Sequence, residues 1–329
     1  MNNSFAMKKL ALLLLIPVVL IIAGLVWWKG VSGAPKADGS QVRLVIPKGA
    51  SATQIANNLR KEELVKSAFA FKFYAGVTGV SRQIKAGEFR IANNLTLAQI
   101  VRELLKDPDE VWVTIPEGLR REEIAERYIA NLELESSSAT AFRSEFLALT
   151  KNKEGMLFPD TYLFPKEASA SAVVAYMSST FDTRMADLTE DIPATGLSLV
   201  QIVTLASIIE RETITDEERP IVAGILIKRL DAGWPLQADA SVQYVVGSAD
   251  NWWPILTKDD LEVNSRYNTY KYAGLPPGPI ASPGLSSLAA VVRSQDSPYW
   301  YYIHDTEGKI HYATSLEGHN LNIAKYLGK

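Results

Sequence analysis

Ser198-Leu199-Val200-Gln201 has the Ser-x-x-Gln form of a helix-capping box, and the run from Ile202 to Ile209 that follows it is apolar on every face. A helix of that kind is buried, yet this one ends in Glu210-Arg211-Glu212 and so delivers carboxylates to the rim of a packed core. Burial disfavours the charged form of a carboxyl group. A Glu held there can keep a proton near neutral pH and hand it to a departing oxygen, as glycosidic bond cleavage requires. Residues three and four apart stack on one helix face. Glu210 lies over Ala206 and Ser207, small side chains that leave room for a ligand, whereas Glu212 lies over Ile208 and Ile209, which imply packing. Two positions are about 200° apart around the axis, so the pair cannot share one small site. Glu210 is the expected acid; the competing reading is that both carboxylates only solvate the helix end.

The segments that would position such an acid follow it. Pro220 to Leu230 reads as a second helix stopped near Asp231-Ala232-Gly233, with Lys228 and Arg229 complementing its dipole. Then come Leu236-Gln237-Ala238-Asp239-Ala240-Ser241-Val242 and Tyr267-Asn268-Thr269-Tyr270. Residues 274–284 hold four prolines and three glycines in eleven residues, which excludes helix or central strand and predicts a stiff, preformed loop. Gln237, Asp239, Asn268 and Tyr270 are candidates for orienting sugar hydroxyls and N-acetyl groups, with turn capping as the alternative. Trp252-Trp253 could stack on sugar rings, whereas Trp300 to Tyr302 read as strand core or loop anchor. His304, His311 and His319 are too widely spread to read as a metal site, and no cofactor is expected.

The order LASIIERET, LQxD, YNTY, GLPPGPI and SPG, preceded by Lys153-Glu154-Gly155 and Phe158-Pro159-Asp160-Thr161-Tyr162, closely resembles the YceG-like family of endolytic murein transglycosylases. The resemblance implies cleavage of the MurNAc-β-1,4-GlcNAc bond of peptidoglycan without consuming water, leaving 1,6-anhydro ends within nascent glycan strands. It also implies Glu210 as the catalytic residue. Substrate contacts would come from Gln237, Asp239, Tyr267, Asn268, Thr269, Tyr270, Glu154 and Asp160, and peptidoglycan synthases (penicillin-binding proteins) would be partners. The chain departs from the family pattern at Ala240 and Ser241, where Pro and Thr are common, at Arg266, where Pro is common, and at Gly318 before His319-Asn320, where Glu is common. These departures bear on the shape of the cleft and on any role for Glu317. A muramidase that admits water, and a non-catalytic wall-binding scaffold, are the rival readings.

Composition sets the wider frame. The chain has 329 residues, 47% of them hydrophobic, and a net charge of −3, so it lacks the basic excess that a nucleic-acid partner demands. Cysteine is absent, which removes thiolate chemistry and a lipoprotein anchor. Leu10 to Trp28 is an uncharged apolar stretch long enough to cross a bilayer, flanked by Lys8, Lys9 and Lys29, with Trp27 and Trp28 placed as an interfacial belt. It reads as an uncleaved anchor rather than a signal peptide, with the N-terminus inside and the bulk of the chain on the wall side of a bacterial inner membrane.

The expected organisation is a stub and transmembrane anchor over 1–29, a flexible linker over 30–40, a LysM-like domain over 41–108 and a catalytic domain over 109–329. The fold class is α+β: a transmembrane helix, a small LysM-like α/β subdomain and a larger mixed α+β catalytic domain. A segment from Val42 through Pro47, Gly49 and Ile55-Ala56 recurs 69 residues later as Val111 through Pro116, Gly118 and Ile124-Ala125, predicting a strand–turn–helix unit used twice.

Overall fold

The computed structural model describes residues 2–328. The chain divides into two units, Met1–Trp112 with Leu163–Lys166, and Val113–Tyr162 with Glu167–Lys329. In the first, α1 (Asn2–Ser32) contains an 18-residue window, Leu15–Ser32, with mean hydropathy 1.9 and no part of it buried. By length and composition it can cross a membrane. The side chains of Lys8, Lys9 and the start of the apolar stretch lie outside the described residues. The expected linker is helical through Ser32, and the rest of it is tied down: Lys36 N–H donates to Asn93 at 3.4 Å, Lys36 pairs with Glu63, and Asn93 N–H donates to Ser40 at 3.0 Å.

The remainder of this unit is β1 (Gln41–Ile46), α2 (Ala52–Lys61), α3 (Ala68–Thr78), β2 (Gly87–Ala92) and α4 (Leu97–Leu104). Strands β1 and β2 pair antiparallel, with Val42 opposite Ile91 and Leu44 opposite Phe89. Leu44, Ile46, Ile55, Leu59, Phe71 and Ile100 build its core. The order β1-α2-α3-β2 follows from short strands separated by two helices, each opened by a serine, Ser51 and Ser67, whose hydroxyl accepts a backbone N–H of the first turn.

The internal repeat is realised in the chain. Strand β3 (Glu110–Thr114) begins 69 residues after β1, and α5 (Arg121–Asn131) begins 69 residues after α2. Gly49 and Gly118 occupy the same left-handed backbone conformation in the two turns, φ 77° and 76°. That conformation is strained for any residue with a Cβ. Ile55-Ala56 and Ile124-Ala125 are buried alike.

After α5 come α6 (Ser136–Leu149) and β4 (Thr161–Pro165), whose residues are divided between the two units, and then, in the second unit, α7 (Ala170–Ala186), α8 (Ile192–Thr195), α9 (Leu199–Glu212), α10 (Arg219–Asp231), α11 (Asp239–Val246), α12 (Leu285–Val292), β5 (Tyr301–His304), β6 (Ile310–Ala313) and α13 (Leu316–Leu327). The strands form a sheet in the order β1-β2-β3-β4 and a separate antiparallel pair, β5-β6. The architecture is the expected mixed α+β with one N-terminal apolar helix.

Helix α9 is the axis of the second core. Its capping box forms as the sequence predicts, Ser198 N–H donating to Gln201 at 2.9 Å, and Ile202, Val203, Leu205, Ile208 and Ile209 are fully buried among α10, α11 and α12. Lys228 and Arg229 do more than complement the dipole of α10. Arg229 donates to the carbonyls of Leu236 and Trp300 at 2.6 Å each, and Lys228 to that of Tyr299 at 3.2 Å. They therefore staple α10 to the start of β5 and to the loop before α11.

Candidate active site

The last turn of α9 presents its two carboxylates to different surroundings. Glu212 lines a cleft of about 550 Å³ together with Arg229, Gln237, Asp239, Tyr270, Tyr302 and His319. Tyr302, from β5, donates to the Glu212 carboxylate at 3.2 Å. The Glu212 carboxyl is pushed up to about 7, first by burial and then by the negative charge of Asp239, against donation from Tyr302 and the Ala240 backbone amide and the charge of Arg229. Near neutral pH it holds a proton for much of the time, which is the state a general acid needs.

The loops around the cleft are fixed by groups that never reach it. Asn268 and Thr269 are fully buried. Asn268 donates to the carbonyls of Leu261 and Val263 at 2.8 and 3.0 Å and accepts from the Tyr270 N–H at 3.0 Å. Thr269 accepts from the Ala238 N–H at 3.0 Å and pairs with Ser241 at 2.8 Å, while its carbonyl takes the Gln237 N–H at 3.1 Å. The alternative of local hydrogen bonding is the one realised for both. Their effect is to turn Tyr270 toward Asp239, to which its hydroxyl donates at 2.5 Å. They also hold Gln237 at φ 54°, a backbone strain of the kind concentrated at functional sites. Ser241 keeps the hydroxyl that this lock requires.

Glu210 stands elsewhere. Its side chain is only 7% exposed and accepts three hydrogen bonds: from Gly284 N–H at 2.9 Å, Ser287 Oγ at 2.8 Å and Arg219 Nη2 at 3.3 Å. Gly284 is the N-cap of α12, so the carboxylate satisfies the open end of that helix. The space above Ala206 and Ser207 is not left for a ligand. Ser207 is buried, donating to the Thr204 carbonyl at 2.7 Å and accepting the Ile280 N–H at 3.0 Å, and so the proline-rich loop fills it. Gln237, Asp239 and Tyr270 line the cleft together with Glu212, whereas Glu210 lies at the N-terminus of α12. Glu117, from the second repeat turn, approaches this corner; burial first, and then the charge of Glu210, push its carboxyl up against the pull of Arg219.

The remaining expected contacts are not at the cleft. Glu154 accepts from the Arg121 N–H at 3.1 Å and from Tyr244 at 3.2 Å, and Tyr244 packs against Tyr267 with ring centres 5.0 Å apart. Burial, with the charge of Glu122, pushes Glu154 up to about 7 against the Arg121 amide and the charges of Arg120 and Arg121. Asp160 pairs with Arg184 at 3.0 Å and lines a separate surface pocket with Tyr176 and Thr180. Trp252 lies under Arg120 and Trp253 under Arg211, so a guanidinium covers one face of each ring.

Sequence reasoning missed Arg229, Tyr301, Tyr302, His304 and His319 as cleft residues. The one signal was His319-Asn320, which follows the departure from the family pattern at Gly318. His319 stacks on Tyr301 at 5.1 Å, and burial, with the charge of Arg229, holds its imidazole below the ordinary value.

Comparison with known proteins agrees with the motifs. The YceG-like family model matches residues 44–325. The endolytic murein transglycosylase of Streptococcus pneumoniae serotype 2 (strain D39) is 29% identical over 323 residues, covering 87% of this chain but 58% of that protein, so the chain spans little more than half of its length. The endolytic murein transglycosylase of Bacillus subtilis (strain 168) is 29% identical over 316 residues, covering 89% and 86% of the two chains. The crystal structure of a YceG-like protein from Listeria monocytogenes aligns with a TM-score of 0.57 at 30% identity, over 86% of this chain and 99% of that one. With the family model extending from β1 into α13, the chain belongs to the YceG-like family.

Proposed function

We propose that this chain is a membrane-anchored endolytic peptidoglycan lytic transglycosylase whose general acid is Glu212. The observation that carries the reading is a carboxyl group pushed up to about 7 at a cleft where Gln237, Asp239, Tyr270 and Arg229 converge. The names of the relatives supply the substrate class. Protonated Glu212 donates to the oxygen bridging MurNAc and GlcNAc, the C1–O bond breaks, and an oxocarbenium-like sugar forms. The carboxylate then takes the proton of the muramoyl C6 hydroxyl as that oxygen attacks C1 and closes the 1,6-anhydro ring. One carboxyl group serves both steps, so no second carboxylate at hydrolase spacing is needed. Asp239, with its Tyr270 partner, holds negative charge beside the site of cation development.

Glu210 is the second reading, favoured by its burial and by the Glu117 carboxyl beside it. Digestion of uncrosslinked glycan by the purified chain, read by mass spectrometry, separates the possibilities. Anhydro ends lost in Glu212→Gln and kept in Glu210→Gln support the proposal, and the reverse pattern transfers the role to Glu210. Reducing ends in place of anhydro ends indicate a muramidase, and intact strands a wall-binding scaffold.

Helix α1 would hold the enzyme in the bacterial inner membrane with the cleft on the wall side, near peptidoglycan synthases as partners. The β1-α2-α3-β2 order supports a LysM-like reading of residues 41–108, with a spacer that touches no sugar as its alternative.

A further inference from the structure

Helix α3 is apolar on two opposite faces. Ala70, Phe71 and Ala75 enter the core of the first unit, whereas Phe69, Phe73 and Val77 are 67%, 53% and 73% exposed. The exposed three recur at four-residue spacing and form one stripe along the helix. Contiguous large apolar side chains facing water are costly and mark an interaction surface.

What covers them follows from their neighbours. The stripe continues into the end of the apolar helix α1: Trp27 meets Phe69 with ring centres 5.9 Å apart, and Trp28 meets Phe73 at 6.1 Å and Tyr74 at 6.0 Å. Lys66, at the entry to α3, donates to the Gly30 carbonyl at 3.4 Å, so the two helices are joined where α1 ends. Tryptophans at the end of a membrane span sit at headgroup level, which places Phe69 and Phe73 at the same depth. From Lys66 to Lys85 the chain carries Lys66, Lys72, Arg82 and Lys85 and no acidic residue, although the whole chain has a net charge of −3. A basic segment with an exposed aromatic stripe suits an anionic bilayer surface.

We propose that α3 lies in the interfacial plane of the bilayer crossed by α1, seating Phe69, Phe73 and Val77 at the boundary between headgroups and acyl chains. The proposal rests on α1 spanning the membrane. It makes the first unit a membrane-apposed body rather than one hanging from a flexible linker, in keeping with the hydrogen bonds that tie down Lys36 and Ser40.

The absence of cysteine allows a clean test on the full chain. Val77→Cys, and Asn57→Cys on α2 as reference, are labelled with an environment-sensitive fluorophore and placed in nanodiscs of phosphatidylethanolamine and phosphatidylglycerol. The expected result at position 77 is a blue-shifted emission, a several-fold loss of quenching by aqueous iodide relative to position 57, and quenching by lipids carrying a shallow nitroxide. Adding Phe69→Ser and Phe73→Ser should restore iodide access while α1 keeps the chain in the disc. Iodide quenching at 77 equal to that at 57 overturns the proposal. So does protection from iodide without lipid quenching, which would mean that a second copy or another protein covers the face. A chain that fails to co-elute with the discs overturns the anchor, and with it this proposal, as a separate and visible failure.

Discussion

Glu210 and Glu212 share one helix, similar depth and almost the same sequence context, yet the fold uses them in opposite ways. Glu210 receives a backbone N–H, a hydroxyl and a guanidinium, and closes the N-terminus of α12. Glu212 receives a tyrosine hydroxyl and the Ala240 backbone amide, with no cation bonded to it among the described residues, and faces the charge of Asp239 at an open cleft. Donors stabilise an anion where it stands, whereas desolvation beside a like charge keeps a carboxyl group protonated. Burial is common to both; the number and charge of the partners are what differ, and the proposed role of Glu212 rests on that difference.

The comparison can be broken most directly by activity. Glu212→Gln should lower strand cleavage by about 10²–10⁴-fold, and Glu210→Gln should stay within a few-fold of the parent at temperatures where it is folded, both read as anhydro-ended product. If the two variants lose activity equally, the distinction fails.

Stability should move in the reverse order. The Glu212 carboxyl is raised from 4.5 to about 7 in the fold, so its contribution is fully present below its unfolded value and is lost as pH rises through 7. At alkaline pH the cost of ionising it is about 3 kcal/mol. Glu212→Gln removes that cost, and thermal melts should show the variant gaining on the parent between pH 5 and pH 8. Glu210→Gln gives up the ion pair with Arg219 and should lose about 1–3 kcal/mol across the neutral range, a chemical denaturation measurement.

The same protonation sets the pH profile: with Glu212 as the acid, turnover falls as pH climbs through about 7. The smallest expected effect sharpens this. Tyr302→Phe removes a donor that favours the anion, so the alkaline limb should shift to higher pH by a fraction of a unit, while a change confined to packing would leave its position where it was.

Much of the fold was legible in the residues. The repeat was read from Pro47, Gly49 and Ile55-Ala56 and their counterparts because turn chemistry and helix periodicity are local, and both copies appear with the predicted register. The α9 capping box and its all-round apolar run were equally local signals. Gln237, Asp239 and Tyr270 were found as cleft residues, but Asn268 and Thr269 turned out to be the lock behind them, and Glu154, Tyr267 and Asp160 lie elsewhere. A motif shows that residues belong together without telling which of them face solvent.

By itself, then, the sequence determined an apolar N-terminal helix, a twice-used strand–turn–helix unit, a buried helix ending in two carboxylates, and membership signals for its family. What surrounds each carboxylate was decided only in three dimensions. Helical spacing correctly placed small residues beneath Glu210, but whether such space stays empty depends on chain more than seventy residues away. Ile280 and Gly284 claim it through Ser207 and Glu210, while β5 carries Tyr302 to Glu212 and leaves the other side open.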